Sequence, residues 1–277
     1  MRNLLSAGFA RLWRSKMFWL SCAFLAAATV SPIWTRYSDG VRYDYHPNLD
    51  TAFLYYVLFI AFLIPIVCTL FIGTDFADGT IRSKVVCGHS KSSLYLSNLI
   101  LCSVGSLIMC TAAVVPGLCV GLPLLGRFAM GTTRAVLFFA GVYTLSLVWA
   151  ALFTLLAMLV SSRTVSVVAA MLLSLALVMV GAYLGGRLEA EPTIQGYAIS
   201  VNGKLEKAEE YPNPAYLPEG PARDAIQFFC DFTPGGQTLQ HIEQRVKQPE
   251  KLIAYDAVLF VLSTVAGLLL FKRKDLK

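Results

Sequence analysis

The side chains that perform most enzymatic chemistry are few in this chain and poorly spaced for it. The histidines are His46, His89 and His241, and each falls in a stretch read as a connection between helices. No His-Glu-x-x-His pair is present, so the usual helical zinc site is absent. His89 stands near Cys87 in a polar loop and reads as a solvated residue, not a base. The cysteines, at 22, 68, 87, 102, 110, 119 and 230, show no C-x-x-C spacing and lie mostly in apolar runs. A free thiol there packs as a small apolar group. No G-x-x-x-x-G-K-[ST] loop occurs, so any ATP must be bound by another chain. We therefore expect no catalytic residue, no metal ligand and no cofactor bound by this chain. Asp256 is the one ionisable residue inside the apolar runs, near the outer end of the last, where water is expected to reach it.

Composition explains the scarcity. Hydrophobic residues make up 56% of the 277 residues, charged residues 14%, and the mean hydropathy is +0.63. A soluble domain carries about 45–50% apolar and about 25% charged residues. That excludes an ordinary cytosolic enzyme, a nucleic-acid-binding domain and a disordered chain, and leaves an integral membrane protein. Six runs are long enough to cross about 30 Å of hydrocarbon as helices: Met17–Trp34, Thr51–Thr74, Leu94–Val120, Ala135–Val160, Val165–Leu184 and Ile253–Phe271. The alternation of barrel strands is absent. The first run follows a long basic leader and reads as an uncleaved span. Arg2, Arg11, Arg14, Lys16, Arg82, Lys84, Lys91, Arg163, Lys272, Arg273, Lys274 and Lys277 would share one side. The opposite short connections hold only Arg36, Arg42, Arg127 and Arg134. The positive-inside rule then puts both termini in the cytoplasm; the basic excess reports orientation, not a nucleic-acid partner.

The connections carry their own patterns. Residues 1–16 read as an amphipathic interface helix, with Leu4, Leu5, Phe9, Leu12 and Trp13 on one side and Arg11 among the polar residues. After span 2, Asp78 is expected to cap a short helix starting at Gly79 or Thr80, with Arg82 four residues on as its ion-pair partner. Ile81, Val85 and Val86 would form an exposed apolar strip, Gly88 would end the helix, and Ser92 or Ser93 would cap the next. The segment 185–252 is expected outside. In it, Tyr197–Val201 and Lys204–Lys207 read as a hairpin about a type I′ turn at Asn202-Gly203. Asp224–Phe232 reads as a half-buried helix at the outer surface, and Gln237–Arg245 as a surface helix beyond Thr233-Pro234-Gly235-Gly236. Gly117-x-x-x-Gly121 and Gly181-x-x-x-Gly185 allow close helix approach, as at a subunit interface.

The stretch Asp78-Gly-Thr-Ile-Arg-Ser-Lys-Val, with Gly88-His-Ser-Lys and Tyr95-Leu-Ser-Asn98, resembles permease subunits of ABC-2 type transporters from Gram-positive bacteria. Asn213-Pro-Ala-Tyr216 and Asp231-Phe-Thr-Pro-Gly-Gly-Gln237 are similar to that family's outer segment. The resemblance implies an all-α, six-span transmembrane domain over 1–277: a leader 1–16, spans 1–5 over 17–184, a cytoplasmic coupling segment 75–93, an external segment 185–252, span 6 over 253–271 and a cytoplasmic tail 272–277. It implies a multi-pass protein of the bacterial cell membrane, an exporter pairing with two copies of an ATP-binding subunit, which holds ATP and magnesium, and with an identical or related second permease. The coupling helix carried over comprises Gly79, Thr80, Ile81, Arg82, Lys84, Gly88 and Lys91, preceded by an acid that is either Asp75 or Asp78.

The cavity implied by the resemblance would be apolar, with Tyr55, Tyr56, Phe59, Phe62 and Phe71 as lining candidates and Pro65 as a bend. A charge-free path suits an amphipathic or hydrophobic cargo: a peptide, a drug or a lipid. The competing readings are a membrane scaffold or sensor without transport, and an ATP-independent carrier or channel. On this topology Cys230, if exposed, would react with an impermeant thiol reagent from outside, and Cys87 only after permeabilisation. Ile81→Asp is expected to leave the protein folded while disturbing the ATPase contact.

Overall fold

A computed structural model describes residues 1–195, 200–201, 204–205 and 210–275. Helices dominate, and six of them are long and apolar enough to cross a membrane. The chain begins with α1 (Arg2–Arg14) and α2 (Lys16–Tyr43). They are hinged at Ser15, whose extended backbone breaks the helix and whose hydroxyl accepts from Phe18 N at 3.4 Å. A short α3 (Leu49–Phe53) precedes α4 (Tyr56–Ala77), α5 (Thr80–Val86), α6 (Lys91–Leu125), α7 (Thr132–Leu159) and α8 (Arg163–Glu189). After the strands come α9 (Pro221–Phe232), α10 (Pro234–Ile242) and α11 (Pro249–Arg273).

The long helices are α2, α4, α6, α7, α8 and α11. Each overlaps one expected span, and most run on past the apolar stretch. Span 1 ends at Tyr43 rather than Trp34, because nothing before Asp44, at φ 53, stops the helix. Span 2 starts later: the chain bends at Leu54–Tyr55, so Leu49–Phe53 forms a separate turn. There the Asp50 carboxylate accepts from Ala129 N at 2.7 Å, tying α3 to the α6–α7 connection.

Helix α4 is the hub. It packs on α7 and α8, with α2, α6 and α10 also against it, while α2 lies along α6 and α11 along α7. Phe53, Tyr56, Phe138, Trp149 and Phe153 are fully buried at its flanks. By contrast α8 and α11 keep long exposed apolar faces, such as Leu172, Met179 and Val180 on one and Val261, Leu262 and Leu269 on the other. In water such faces would be a liability; in hydrocarbon they are the expected outer wall.

Between α8 and α9 two antiparallel ladders are nested. β1 (Thr193–Gln195) pairs with β4 (Glu210–Pro212), in register Ile194 with Tyr211. Inside them β2 (Ser200–Val201) pairs with β3 (Lys204–Leu205), Val201 opposite Lys204. The expected hairpin is thus present as a pairing two residues apart. Its turn, Asn202-Gly203, lies outside the described residues, as do Tyr197, Lys207 and Lys277. The outer ladder has no clear sequence signal, since Glu210–Pro212 is exposed throughout and ends in proline.

Of the two helices after the strands, α9 is half-buried as expected, with Cys230 and Asp231 buried and Phe228 and Phe229 exposed, whereas α10 differs from a surface reading. Along α10, Gln237, Thr238 and His241 are fully buried, because this helix packs into the bundle against α8, α4 and α7. The fit depends on glycine. A Cβ at Gly181 of α8 would lie 2.7 Å from the Gly235 carbonyl carbon, and one at Gly235 would strike the Leu177 carbonyl oxygen. Gly117 likewise receives Thr29 and Phe53, and Gly121 receives Leu49. Gly117, Gly121 and Gly181 thus serve contacts within the chain, whereas a Cβ at Gly185 would meet nothing within 4 Å. Cys230 is 2% exposed, so it cannot serve as an external label, whereas Cys87 is exposed. The Cys230 thiol is also pushed up to about 11 by burial.

Candidate functional site

The best-organised polar cluster lies where α4 passes into α5. Asp75, in the last turn of α4, is 1% exposed. Its carboxylate receives Arg11 from α1, Lys84 Nζ from α5 at 3.2 Å and the Thr80 hydroxyl at 2.7 Å. The same hydroxyl reaches the Asp75 carbonyl at 3.0 Å. Arg11 also donates to Phe71 O at 3.3 Å and lies 3.8 Å over the Phe71 ring. One buried carboxylate thus joins three helices, and its lone pairs are matched by donors, the condition under which a buried charge is tolerated.

Asp78, the other acid considered, is exposed and ends α4. It does not cap α5. That position belongs to Gly79, at φ 67, which reverses the chain in a left-handed conformation that L side chains rarely adopt. With Asp78 at the end of α4, among the described residues no side chain caps the first amides of α5, its first turn holds no acid, and Arg82 is exposed. The far end of α5 follows the expectation for Gly88: Gly88 N–H bonds Val85 O at 3.0 Å and His89 N–H bonds Lys84 O at 3.1 Å, a Schellman stop with Gly88 at φ 87. The cap of α6 is Ser90, whose hydroxyl accepts from Ser93 N at 3.2 Å, rather than Ser92 or Ser93.

The apolar strip of α5 splits. Ile81 is 1% exposed and belongs to the core, Val85 is partly buried against it, and Val86 is 87% exposed. Ile81 is therefore not an exposed probe, and Ile81→Asp would bury a charge in the fold. The outward face consists of Arg82, Ser83, Val86 and Cys87, spaced as one side of a helix. Lys91 faces inward: its ammonium donates to Lys274 O at 2.7 Å and Lys272 O at 3.3 Å, stoppering the last turn of α11. Lys274 in turn donates to Met158 O at 2.9 Å and lies 4.3 Å over Phe76. Burial lowers its ammonium below the ordinary lysine value.

The aromatic residues assigned to a cargo path are not gathered on one wall of the single chain. Tyr56 and Phe71 belong to the core, Phe59 and Phe62 are half-buried, and Tyr55 is exposed at the head of α4. Phe59 packs edge-on to Phe24 at 5.2 Å, and Pro65 lies within α4, its carbonyl taken by Thr69 at 2.7 Å.

A second polar cluster lies at the opposite end of the bundle. Asp231 accepts from Gln227 at 2.7 Å, Gln240 at 3.2 Å and Lys251 at 3.0 Å, and so binds α9, α10 and α11 together. Asp256 is not open to water. It is 1% exposed, and the Thr144 hydroxyl donates to it at 2.6 Å across α7 and α11. His241 is buried in α10, not in a loop, with Nδ1 donating to Gln237 O at 2.8 Å. Among the described residues no group of three or more His, Cys, Asp or Glu side chains is placed to hold a metal.

The chain matches no model of a known protein family and none of the curated proteins. Arg11 joins this cluster although the sequence placed it among the polar residues of α1, and its position there carries no signal of a partner in α4.

Proposed function

We propose that this chain is the membrane-spanning subunit of an ATP-driven transporter of the ABC-2 type, exporting an amphipathic or hydrophobic cargo. ATP and magnesium belong to a separate ATP-binding subunit, present in two copies, and a second permease, identical or related, completes the complex. In this reading α1 lies along the inner membrane surface, both termini are cytoplasmic, and the segment between α8 and α11 is outside. The chain itself performs no catalysis.

The observation that carries this reading is the bracing of α5. A lever that transmits nucleotide-driven closure must not bend at its root. This helix is fixed by Gly79 at its start, Asp75 and Ile81 along its inner face and Gly88 at its end, while Arg82 and Val86 face outward. Such an element offers a rigid apolar and cationic tip to a groove on a partner. The test is co-purification with the ATP-binding subunit in mild detergent. The double variant Arg82→Glu, Val86→Asp should weaken association or abolish cargo-dependent ATP turnover, yet change the stability of the chain by no more than about 0.5 kcal/mol, as surface substitutions do. A fully coupled complex carrying both changes refutes the assignment of α5.

The ATP-independent carrier has one observation in its favour: Asp256 is buried within the bundle with Oδ1 unpartnered, as groups that bind and release ions are. Cargo movement in vesicles holding this chain alone, without ATP or a partner, would select that reading.

A further inference from the structure

At the end of the bundle away from α5, a cavity of about 360 Å³ opens between α8, α9, α10 and α11. Its size is that of a small-ligand site. The floor is bare helix, Gly181 and Gly185 of α8, and Leu252 of α11 forms part of the wall. These residues belong to the last turns of α8 and the first turn of α11. The cavity thus sits where two spanning helices leave the hydrocarbon, at the depth of lipid head groups.

The charges around it are unequal in availability. Its cations are Arg223, Arg245, Lys247 and Lys251, and its carboxylates are Glu189, Asp231 and Glu243. All three carboxylates are already committed: Asp231 to Lys251 and two glutamines, and Glu189 and Glu243 to Arg245, the latter at 3.0 Å. Arg223 donates to Leu188 O at 2.6 Å and Leu217 O at 2.7 Å. Lys247 has no partner among the described residues, and Lys251 spends one N–H on Asp231. Four cations thus face three carboxylates, two of which share Arg245, and Lys247 is left unpaired among the described residues, so the cavity carries a small positive excess and complements an anion.

Helix α9 explains how an anion on a membrane component would reach it. One side of α9, with Arg223, Gln227 and Asp231, faces the cavity. The other exposes Phe228 and Phe229, and Phe228 stacks on Phe232 at 5.5 Å and meets Tyr255 of α11 at 5.8 Å. An amphipathic helix with one polar side and exposed phenylalanines on the other suits the membrane–water boundary. Neighbouring outward faces of α8 and α11 carry exposed Val180 and Val258, apolar surface beside which acyl chains can lie.

We propose that this cavity binds the phosphate-bearing head group of a membrane phospholipid, with Lys247 and Lys251 on the phosphate and the acyl chains along the spanning helices. The site requires only that the six helices cross a membrane. It does not rest on the ATP-coupled reading, and the test uses the full chain alone, so either can fail without the other.

The test compares three probes on the purified chain in detergent by native mass spectrometry and calorimetry: dihexanoyl phosphatidylglycerol, phosphate-free dihexanoylglycerol and glycerol 3-phosphate. A Cβ at Gly185 meets nothing within 4 Å, so Gly185→Leu fits the fold and fills the cavity. Gly186 is equally open but does not line the cavity, which makes Gly186→Leu the matched control. The phosphatidylglycerol should bind wild type and Gly186→Leu alike, and Gly185→Leu and Lys247→Glu about tenfold or more weakly, the effect of losing a charge-assisted contact. Dihexanoylglycerol should not compete. Equal binding of the lipid to all four proteins, or equal binding of the phosphate-free lipid, overturns the site. Glycerol 3-phosphate binding as tightly as the lipid overturns its assignment to the membrane.

Discussion

Asp75→Asn removes the charge that joins α1, α4 and α5 while keeping the side chain's shape and an acceptor for Thr80. Arg11 and Lys84 are 36% and 32% exposed, so solvent screens both pairs and each is worth about 1 kcal/mol at most. The neutral amide also relieves the cost of burying a carboxylate. The net loss is therefore at most about 2 kcal/mol, which raises the population of an opened α5 by up to roughly thirtyfold. Hydrogen exchange of the α5 amides reads that population directly. Ser83 N–H is bonded to Gly79 O at 3.2 Å and Cys87 N–H to Ser83 O at 2.9 Å, and both bonds break when the helix lifts. Exchange at these two amides should accelerate by that factor in Asp75→Asn, with the central amides of α6 unchanged. Asp78→Asn, at an exposed helix end, should exchange like wild type. Unaltered α5 exchange in Asp75→Asn, or an equal rise in Asp78→Asn, would show that the buried carboxylate does not hold the helix.

Two further substitutions probe the other end of the molecule. Gly181→Leu would press a side chain into the Gly235 and Gly236 backbone, which cannot yield, so α10 must lift; a loss of about 1–3 kcal/mol should appear as a lower melting temperature in detergent. An unchanged melting temperature would mean that α10 is not seated as described. For His241, burial lowers the pKa from 6.5 to about 4, so between those values the unfolded chain takes up a proton that the folded one refuses. Its contribution to stability thus falls as the pH drops through that window, by about 3 kcal/mol in all. His241→Asn should flatten the decline in melting temperature between pH 7 and pH 5, and an identical slope in the variant would assign the decline to other groups.

The spanning helices were legible because hydrocarbon imposes a length and a composition that few other segments meet. Their ends were less so: Arg36, Asp39 and Arg42 of α2 sit beyond the apolar run but on the same unbroken helix, since polarity ends a span without ending a helix. Close approach occurs at Gly117, Gly121 and Gly181 but not at Gly185, and the motifs gave no sign of the approaching element, which proved to be Thr29, Phe53, Leu49 and the start of α10. Around Asp75 the acid itself and its helix were visible in the sequence. That Asp75 is the buried, paired acid and Asp78 the exposed one was not, because it depends on where α4 stops, and that is decided by a single left-handed glycine. Arg11 shows the same limit. A residue on the polar side of an amphipathic helix was expected to face water or lipid head groups, and a buried carboxylate 64 positions away turned it inward.

The burial of α10 follows from how its polar groups are spent. Hydropathy scores Gln237, Thr238 and His241 as hydrophilic, yet each meets its donor requirement close by. The Gln237 amide donates to Asp231 O at 2.8 Å, the Thr238 hydroxyl to Pro234 O at 2.7 Å and His241 Nδ1 to Gln237 O at 2.8 Å. Thr233 caps the first turn through Gly236 N at 3.4 Å, and Pro234, lacking an N–H, leaves one fewer donor there to satisfy. What remains unpaired in this helix is acceptor capacity, Gln237 Oε1 and His241 Nε2. A buried acceptor is tolerated more readily than a buried orphan donor. A helix whose buried side chains donate mostly to carbonyls close by behaves toward its neighbours much as an apolar rod. Two glycines then let that rod approach α8 to backbone contact, so a segment that composition assigns to the surface enters the core.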